Sequence, residues 1–139
     1  PAARDLYAFM TDADVHLVGL VPHPTIAGTH ASPDGLVNAD GLVEVKCLGA
    51  APHLEALQTG ARPNAYRLQA AWQIACTGRK WCDVALYHPD MPTFEMQLHI
   101  QRIERDDAMI AELETAARVF LAEVEATVAE LRRKFKLAA

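Results

Sequence analysis

The chain has 139 residues, 51% of them hydrophobic, and a net charge of −5. That length supports one domain with one good core, and that apolar content excludes a disordered chain. No apolar run reaches the roughly 18 residues a membrane span requires, no charged-then-apolar signal segment opens the chain, and the acidic balance runs against a nucleic-acid binder unless positive charge is local. Cys47, Cys76 and Cys82 form no C-x-x-C pair and read as buried reduced thiols of a cytosolic protein. The sequence starts at Pro1 without Met and enters a helical pattern at once. The expectation is a single domain over 1–139 that lacks an N-terminal portion of a longer protein.

Leu6, Phe9 and Met10 recur at helical spacing and predict a helix over 2–11, which Asp12 and Asp14 break. Val15 to Val21 reads as a strand, Pro22, Pro24 and Gly28 as a loop, and Thr29 to Ser32 as a short strand. After a Pro33-Asp34-Gly35 turn comes a short extended segment. Asn38 to Gly41 reads as a hairpin turn into a strand over Leu42–Cys47. Gly49, Pro52, Gly60 and Pro63 suggest an irregular, mobile loop over 48–63. A helix is expected from Asn64, as N-cap, to Thr77, with Gly78 as stop. Trp81 to Tyr87 alternates as a strand, residues 89–92 turn, and Phe94 to Ile103 reads as another strand with Phe94, Met96, Leu98 and Ile100 on one face. The last helix runs from about Arg105 to Phe135. Its apolar stripe, from Ile110 through Phe120 to Phe135, would pack on the sheet or against another subunit. The order α-β-β-β-α-β-β-α gives a mixed central sheet flanked by helices, α/β or α+β in class.

The residues that carry chemistry lie on the strand over 42–47. Alternate strand side chains share a face, so Glu44 and Lys46 point one way while Val43, Val45 and Cys47 point the other, into a core. The turn at 33–35 lets Asp34 fold back over the same spot. Two carboxylates a few ångströms apart repel by roughly 1 kcal/mol in water and by several times that in a cleft. A divalent cation between them removes that cost. Mg²⁺ suits such a site because it needs few protein oxygens and keeps several waters, and the backbone carbonyl of Val45 is a further candidate ligand. Lys46 brings three donors for a water or a phosphate. On the helix over 64–77, Tyr66, Gln69 and Gln73 share a face; Gln69 is placed to orient a water or phosphate without adding charge. A bare E-x-K is most often a surface ion pair, and the upstream Asp34 is what raises it above that.

Elsewhere the bland readings prevail. The six histidines form no metal-ligand spacing; His23 and His30 share a loop and read mainly as structural. Trp72, Trp81 and Tyr87 read as core. Arg132, Arg133, Lys134 and Lys136 read as favourable charge at a helix C-terminus.

Ser32-Pro33-Asp34-Gly35-Leu36, Leu42-Val43-Glu44-Val45-Lys46-Cys47, Tyr66-Arg67-Leu68-Gln69, Trp81-Cys82-Asp83 with Tyr87-His88-Pro89-Asp90-Met91, and Ile103-Glu104-Arg105-Asp106, in this order and spacing, resemble the lambda exonuclease / YqaJ-type viral recombinase family. That family is a branch of the PD-(D/E)xK nuclease superfamily, and the likeness spans nearly all of residues 3–135. The resemblance implies a restriction-endonuclease-like core and a deoxyribonuclease dependent on one or two Mg²⁺, with Mn²⁺ as substitute. Such an enzyme digests linear duplex DNA from its ends, 5′ to 3′, in phage-type recombination. By matching position, Asp34 and Glu44 would be the metal-binding carboxylates, with the Val45 carbonyl beside them. Lys46 would be the catalytic lysine and Gln69 the motif glutamine, and Lys46, Gln69 and Tyr66 would meet DNA. A trimeric homo-oligomeric ring, a single-strand annealing partner and a cytoplasmic setting in a bacterial host, phage-encoded or not, are implied too. The family pattern also has an acidic residue near the position of Ala3-Arg4, and its match would fall before Pro1. Two other readings stand beside the exonuclease: a nuclease-like fold that binds DNA ends without turnover, and an endonuclease of the same superfamily.

Overall fold

The computed structural model describes residues 1–60 and 63–136. The chain divides into two compact units, Pro1–Asp106 and Asp107–Ala139. The first unit contains α1 (Ala2–Thr11), β1 (Val15–His16), β2 (Val21–Pro22), β3 (His30–Ala31), β4 (Gly35–Val37), β5 (Gly41–Cys47), α2 (Ala50–Thr59), α3 (Asn64–Thr77), β6 (Trp81–Tyr87), α4 (Phe94–Gln97) and β7 (Leu98–Glu104). The second is the helix α5 (Asp107–Phe135). Among the described residues no helix is long and apolar enough to cross a membrane.

Five strands form one mixed sheet in the order β1-β4-β5-β6-β7, and β2 and β3 form a separate ribbon. β4 and β5 pair antiparallel across the expected hairpin, Leu36 opposite Leu42. β5 and β6 are parallel, with Glu44 opposite Val84 and Lys46 opposite Leu86, because α2 and α3 carry the chain back between them. β6 and β7 are antiparallel, with Asp83 opposite Arg102. The fold class is the expected α/β with a mixed sheet and flanking helices.

Alternation along β5 and β6 sorts the two faces. Val43 and Ala85 join Tyr7, Val37 and Leu98 in a core cluster that Leu6, Val45, Trp81 and Tyr87 border, on the side of α1. Leu42, Cys82, Val84 and Leu86 turn to the other side and are likewise buried, as are Ala70, Ala71 and Ile74 of α3. Gly41 is obligatory here: a Cβ on it would come within 2.1 Å of the Trp81 ring. The Arg102 guanidinium lies over that ring, 3.6 Å from its centre.

Four local expectations are corrected. The stretch expected as an irregular loop contains α2; its residues 61 and 62 lie outside the described residues. Gly49 is an extended N-cap, Gly60 an αL C-cap whose N–H returns to Ala56, and Pro52 sits in the first turn, where a missing N–H costs nothing. The glycines and prolines thus mark the ends of a helix. Phe94–Gln97 is helical rather than extended because Thr93 caps it, its Oγ1 accepting the Met96 N–H at 3.3 Å. The strand expected over 15–21 breaks into β1 and β2, which serve different sheets, with Leu17 and Leu20 exposed between them. Asn64 is the first residue of α3 and Pro63 the residue before it. In α5 the stripe residues Phe120, Val124, Val128, Leu131 and Phe135 are exposed and Ile110 is buried. Arg132, Arg133 and Lys134 occupy its last turn, as the helix dipole favours.

A buried ionic group ties α1 to the sheet. The Asp83 carboxylate, 2% exposed, accepts the Tyr7 hydroxyl at 2.7 Å and a two-pronged Arg102 guanidinium at 2.8 and 2.9 Å. Burial, then the hydrogen bond to Asp83, pushes the Tyr7 phenol up, and burial also raises the thiols of Cys76, to about 11, and Cys82. Groups held protonated in the fold stabilise it below their unfolded pKa and lose that contribution as pH rises past it, here upward of about pH 9 for the thiols and 10 for the phenol. Tyr7→Phe is expected to lose roughly 1.5–3 kcal/mol at pH 7, read from urea denaturation. The gap to the parent should narrow above pH 10, where the parent loses its phenol contribution. A gap that widens there contradicts this account.

Candidate active site

β5 delivers two of the candidate residues. Glu44 and Lys46 stand two apart on the face toward α3, and the Lys46 ammonium donates to Glu44 Oε1 at 2.8 Å. α3 delivers the amides from successive turns. Gln69 Nε2 donates to the same Oε1 at 2.7 Å, Gln69 Oε1 accepts from Lys46 at 2.8 Å, and Gln73 Nε2 donates to Glu44 Oε2 at 2.6 Å. Glu44 is 6% exposed, so its charge is held by one cation and two amide donors rather than by water. The Lys46 side chain keeps 22% exposure, and two of its three donors are committed. Tyr66 sets its ring 5.3 Å from the Lys46 nitrogen, a cation–π distance.

Asp34 reaches the same place along the main chain. It sits on the bend before β4, and its Oδ2 accepts the Val45 N–H at 2.8 Å. β4 begins only at Gly35 and pairs no further along β5 than Val43; beyond that the Asp34 carboxylate substitutes for a ladder partner. A strand residue presents N–H and C=O at the same edge, so the Val45 carbonyl emerges on the Asp34 side, past the end of β4. Arg4 of α1 donates to the Asp34 backbone carbonyl at 3.4 Å. A cleft of about 400 Å³, lined among others by Arg4, Asp34, Val45, Cys47 and Tyr87, opens at this edge.

Asp34, Glu44, Val45, Lys46, Gln69 and Tyr66 are therefore brought together around one end of β5. Gln73 belongs with them, although its sequence signal was only its spacing of four from Gln69. Cys47 is exposed, not in a core; β5 runs past the end of its cover there. His23 is buried and stacks on Trp72 at 5.0 Å, and the Trp72 indole donates to the His30 carbonyl at 3.1 Å, so this pair of histidines pins the β2–β3 ribbon to α3. Trp81 and Tyr87 border the core half-buried.

No cluster of three or more His, Cys, Asp or Glu side chains suited to a metal occurs among the described residues. Asp34 and Val45 line the cleft, and the buried Glu44 carboxylate stands one residue before Val45 on the same strand. Mg²⁺ is commonly held through one or two carboxylates with waters and substrate phosphates, so the residues present fit such an ion, whereas a softer metal asking for several His or Cys finds none.

The chain is thus an α/β protein whose mixed five-stranded sheet carries two acids and a lysine at one end of its central strand. The YqaJ-like viral recombinase domain matches residues 1–80. The crystal structure of LHK-Exo, an alkaline exonuclease from Laribacter hongkongensis, is similar at 50% identity and a TM-score of 0.94, over 99% of this chain and 71% of that one. The same enzyme in complex with dAMP is similar at 50% identity, TM-score 0.93, with the same coverage. No curated protein sequence matches. The chain belongs to the YqaJ-like viral recombinase family, and its fold is that of the alkaline exonuclease.

Because Glu44 is satisfied by its donors and not strained, Glu44→Ala is expected to destabilise the metal-free protein by roughly 1–3 kcal/mol, the cost of leaving the buried Gln73 amide without an acceptor. Urea denaturation in the presence of chelator measures this. A variant more stable than its parent would mean that the carboxylate is a strained, repelling group.

Proposed function

We propose that this chain carries the catalytic core of a metal-dependent deoxyribonuclease, an exonuclease that hydrolyses linear duplex DNA 5′ to 3′ in recombination of the phage type. The observation that carries this reading is the placement of Asp34, Glu44 and Lys46 at one strand end, with the amides of Gln69 and Gln73 holding Glu44 and Lys46 and the Val45 N–H holding Asp34. The likeness to an alkaline exonuclease that has also been solved with dAMP, a deoxynucleoside monophosphate, supports it.

In this reading Asp34, Glu44 and the Val45 carbonyl hold one or two Mg²⁺. A bound ion supplies Lewis-acid stabilisation of charge on the scissile phosphate and a more acidic water. Lys46 uses its remaining N–H donor on the attacking water or on a phosphate oxygen. Its position is set before substrate arrives, since Glu44, Gln69 and the Tyr66 ring hold it from three sides, so little ordering remains to be done at the moment of reaction. Gln69 orients the lysine and the carboxylate at once. The substrate is DNA at its ends, the working form a homo-oligomeric ring of three, the partner a single-strand annealing protein, and the setting the cytoplasm of a bacterial host.

The second reading, a module that binds DNA ends without turnover, draws on one observation: both oxygens of Glu44 are already engaged by protein donors. Linear duplex with 5′-phosphate ends, incubated with and without Mg²⁺, separates the two. The exonuclease releases nucleotides only with the metal and leaves a closed circle intact; an endonuclease cuts the circle. Asp34→Asn can still accept the Val45 N–H through its amide oxygen, so it should fold as the parent does yet lose more than about a hundredfold in activity, more than loss of a mere supporting hydrogen bond. Parent-level cleavage by Asp34→Asn sinks the site assignment.

A further inference from the structure

Gln73 is 2% exposed and lies one helical turn beyond the motif glutamine. Its Nε2 donates to Glu44 Oε2 at 2.6 Å, while its Oε1 accepts from the Cys82 thiol of β6 at 3.7 Å. Glu44 Oε1, by contrast, faces Lys46 and Gln69, both nearer solvent. The two oxygens are thus held differently, Oε2 by a group with no exchange with water and Oε1 by groups that a substrate can reach. An amide is nearly symmetric in shape, and a half-turn of Gln73 would set a carbonyl oxygen against a carboxylate oxygen. The carboxylate, which only accepts, therefore fixes which end of the amide faces it, and the Cys82 thiol, a weak donor, meets the other end at Oε1. Burial, then the charges of Glu44, Asp83 and Asp34, keeps that thiol protonated.

We propose that Gln73 is a positioning residue for divalent-cation binding, seated on the Cys82 thiol, and that the chain Cys82–Gln73–Glu44 sets the direction in which the Glu44 carboxylate offers its remaining lone pairs. The inference rests on the nuclease reading above and adds to it a residue that never touches substrate. Supporting groups around metal ligands commonly matter by ten- to a hundredfold in affinity.

Mn²⁺ binding to the DNA-free protein, followed by calorimetry, tests it with no need for turnover. Gln73→Met keeps the volume and removes the donor; its Mn²⁺ dissociation constant should rise about ten- to a hundredfold, and the Mg²⁺ concentration for half-maximal cleavage should rise in parallel. Cleavage at saturating Mg²⁺ should fall far less, a split that a merely structural defect does not give. Cys82→Ala removes the group that meets Oε1 while the carboxylate still fixes which way the amide faces, and should weaken Mn²⁺ measurably but less than Gln73→Met does. Cys82→Ser, which restores a donor, should return to the parent value; this pair carries the test if Gln73→Met does not fold. Parent-like Mn²⁺ affinity in Gln73→Met, or a Cys82→Ser no better than Cys82→Ala, overturns the proposal. If the parent binds no Mn²⁺ and cuts no DNA, the nuclease reading itself fails and takes this one with it; if the parent binds and cuts while the variants match it, only this one fails.

Discussion

A buried carboxylate on the central strand must be supplied with hydrogen-bond donors, and the arrangement of α3 over β5 answers that demand. Glu44 sits where the parallel β5–β6 pair is covered by a helix, a place where an unpaired charge would be prohibitive. Gln69 and Gln73, one turn apart, and Lys46, two residues along the strand, meet it. The crossover that makes β5 and β6 parallel is the same stretch of chain that supplies two of these three groups, so topology and charge compensation have one origin.

The sheet holds a second buried carboxylate, and the contrast is instructive. Asp83 stands on β6 and faces α1, where it is claimed by a forked guanidinium and a phenol. An Arg fork matches a carboxylate in shape and leaves little to exchange. Glu44 has a point-charge ammonium and two neutral amides instead, held one bond at a time and not by a matching fork. Two acids on neighbouring strands and opposite faces thus differ in their partners: one locks the fold together, and the other is the one assigned to a cation in the proposed nuclease reading.

Much of this was readable from residue order. Alternation along Leu42–Cys47 gave the shared face of Glu44 and Lys46, and the apolar spacing with Gly78 gave α3 and its C-terminal bound. Strand β6 was equally plain because all its neighbours bury it. What stayed hidden depended on partners distant in the chain. Pro52 and Gly60 carry the same letters in a loop as at helix ends, and only the burial of His53 and Ala56 decides between them. The alternation through Phe94–Leu98 fits strand and turn alike, and the Thr93 cap tips it. Gln73 looked like one more polar residue on an amphipathic helix; its role appears only when Cys82, nine residues on, comes beneath it.

The Asp34 oxygen rests on the amide nitrogen that joins Glu44 to Val45. One acid is therefore docked on the main-chain segment that bears the other. A bend or slide of the strand carries both along as a unit, so their separation is gauged by covalent backbone and not by two independent, long side chains. Such a gauge leaves the spacing of the two acids less dependent on side-chain rotamers.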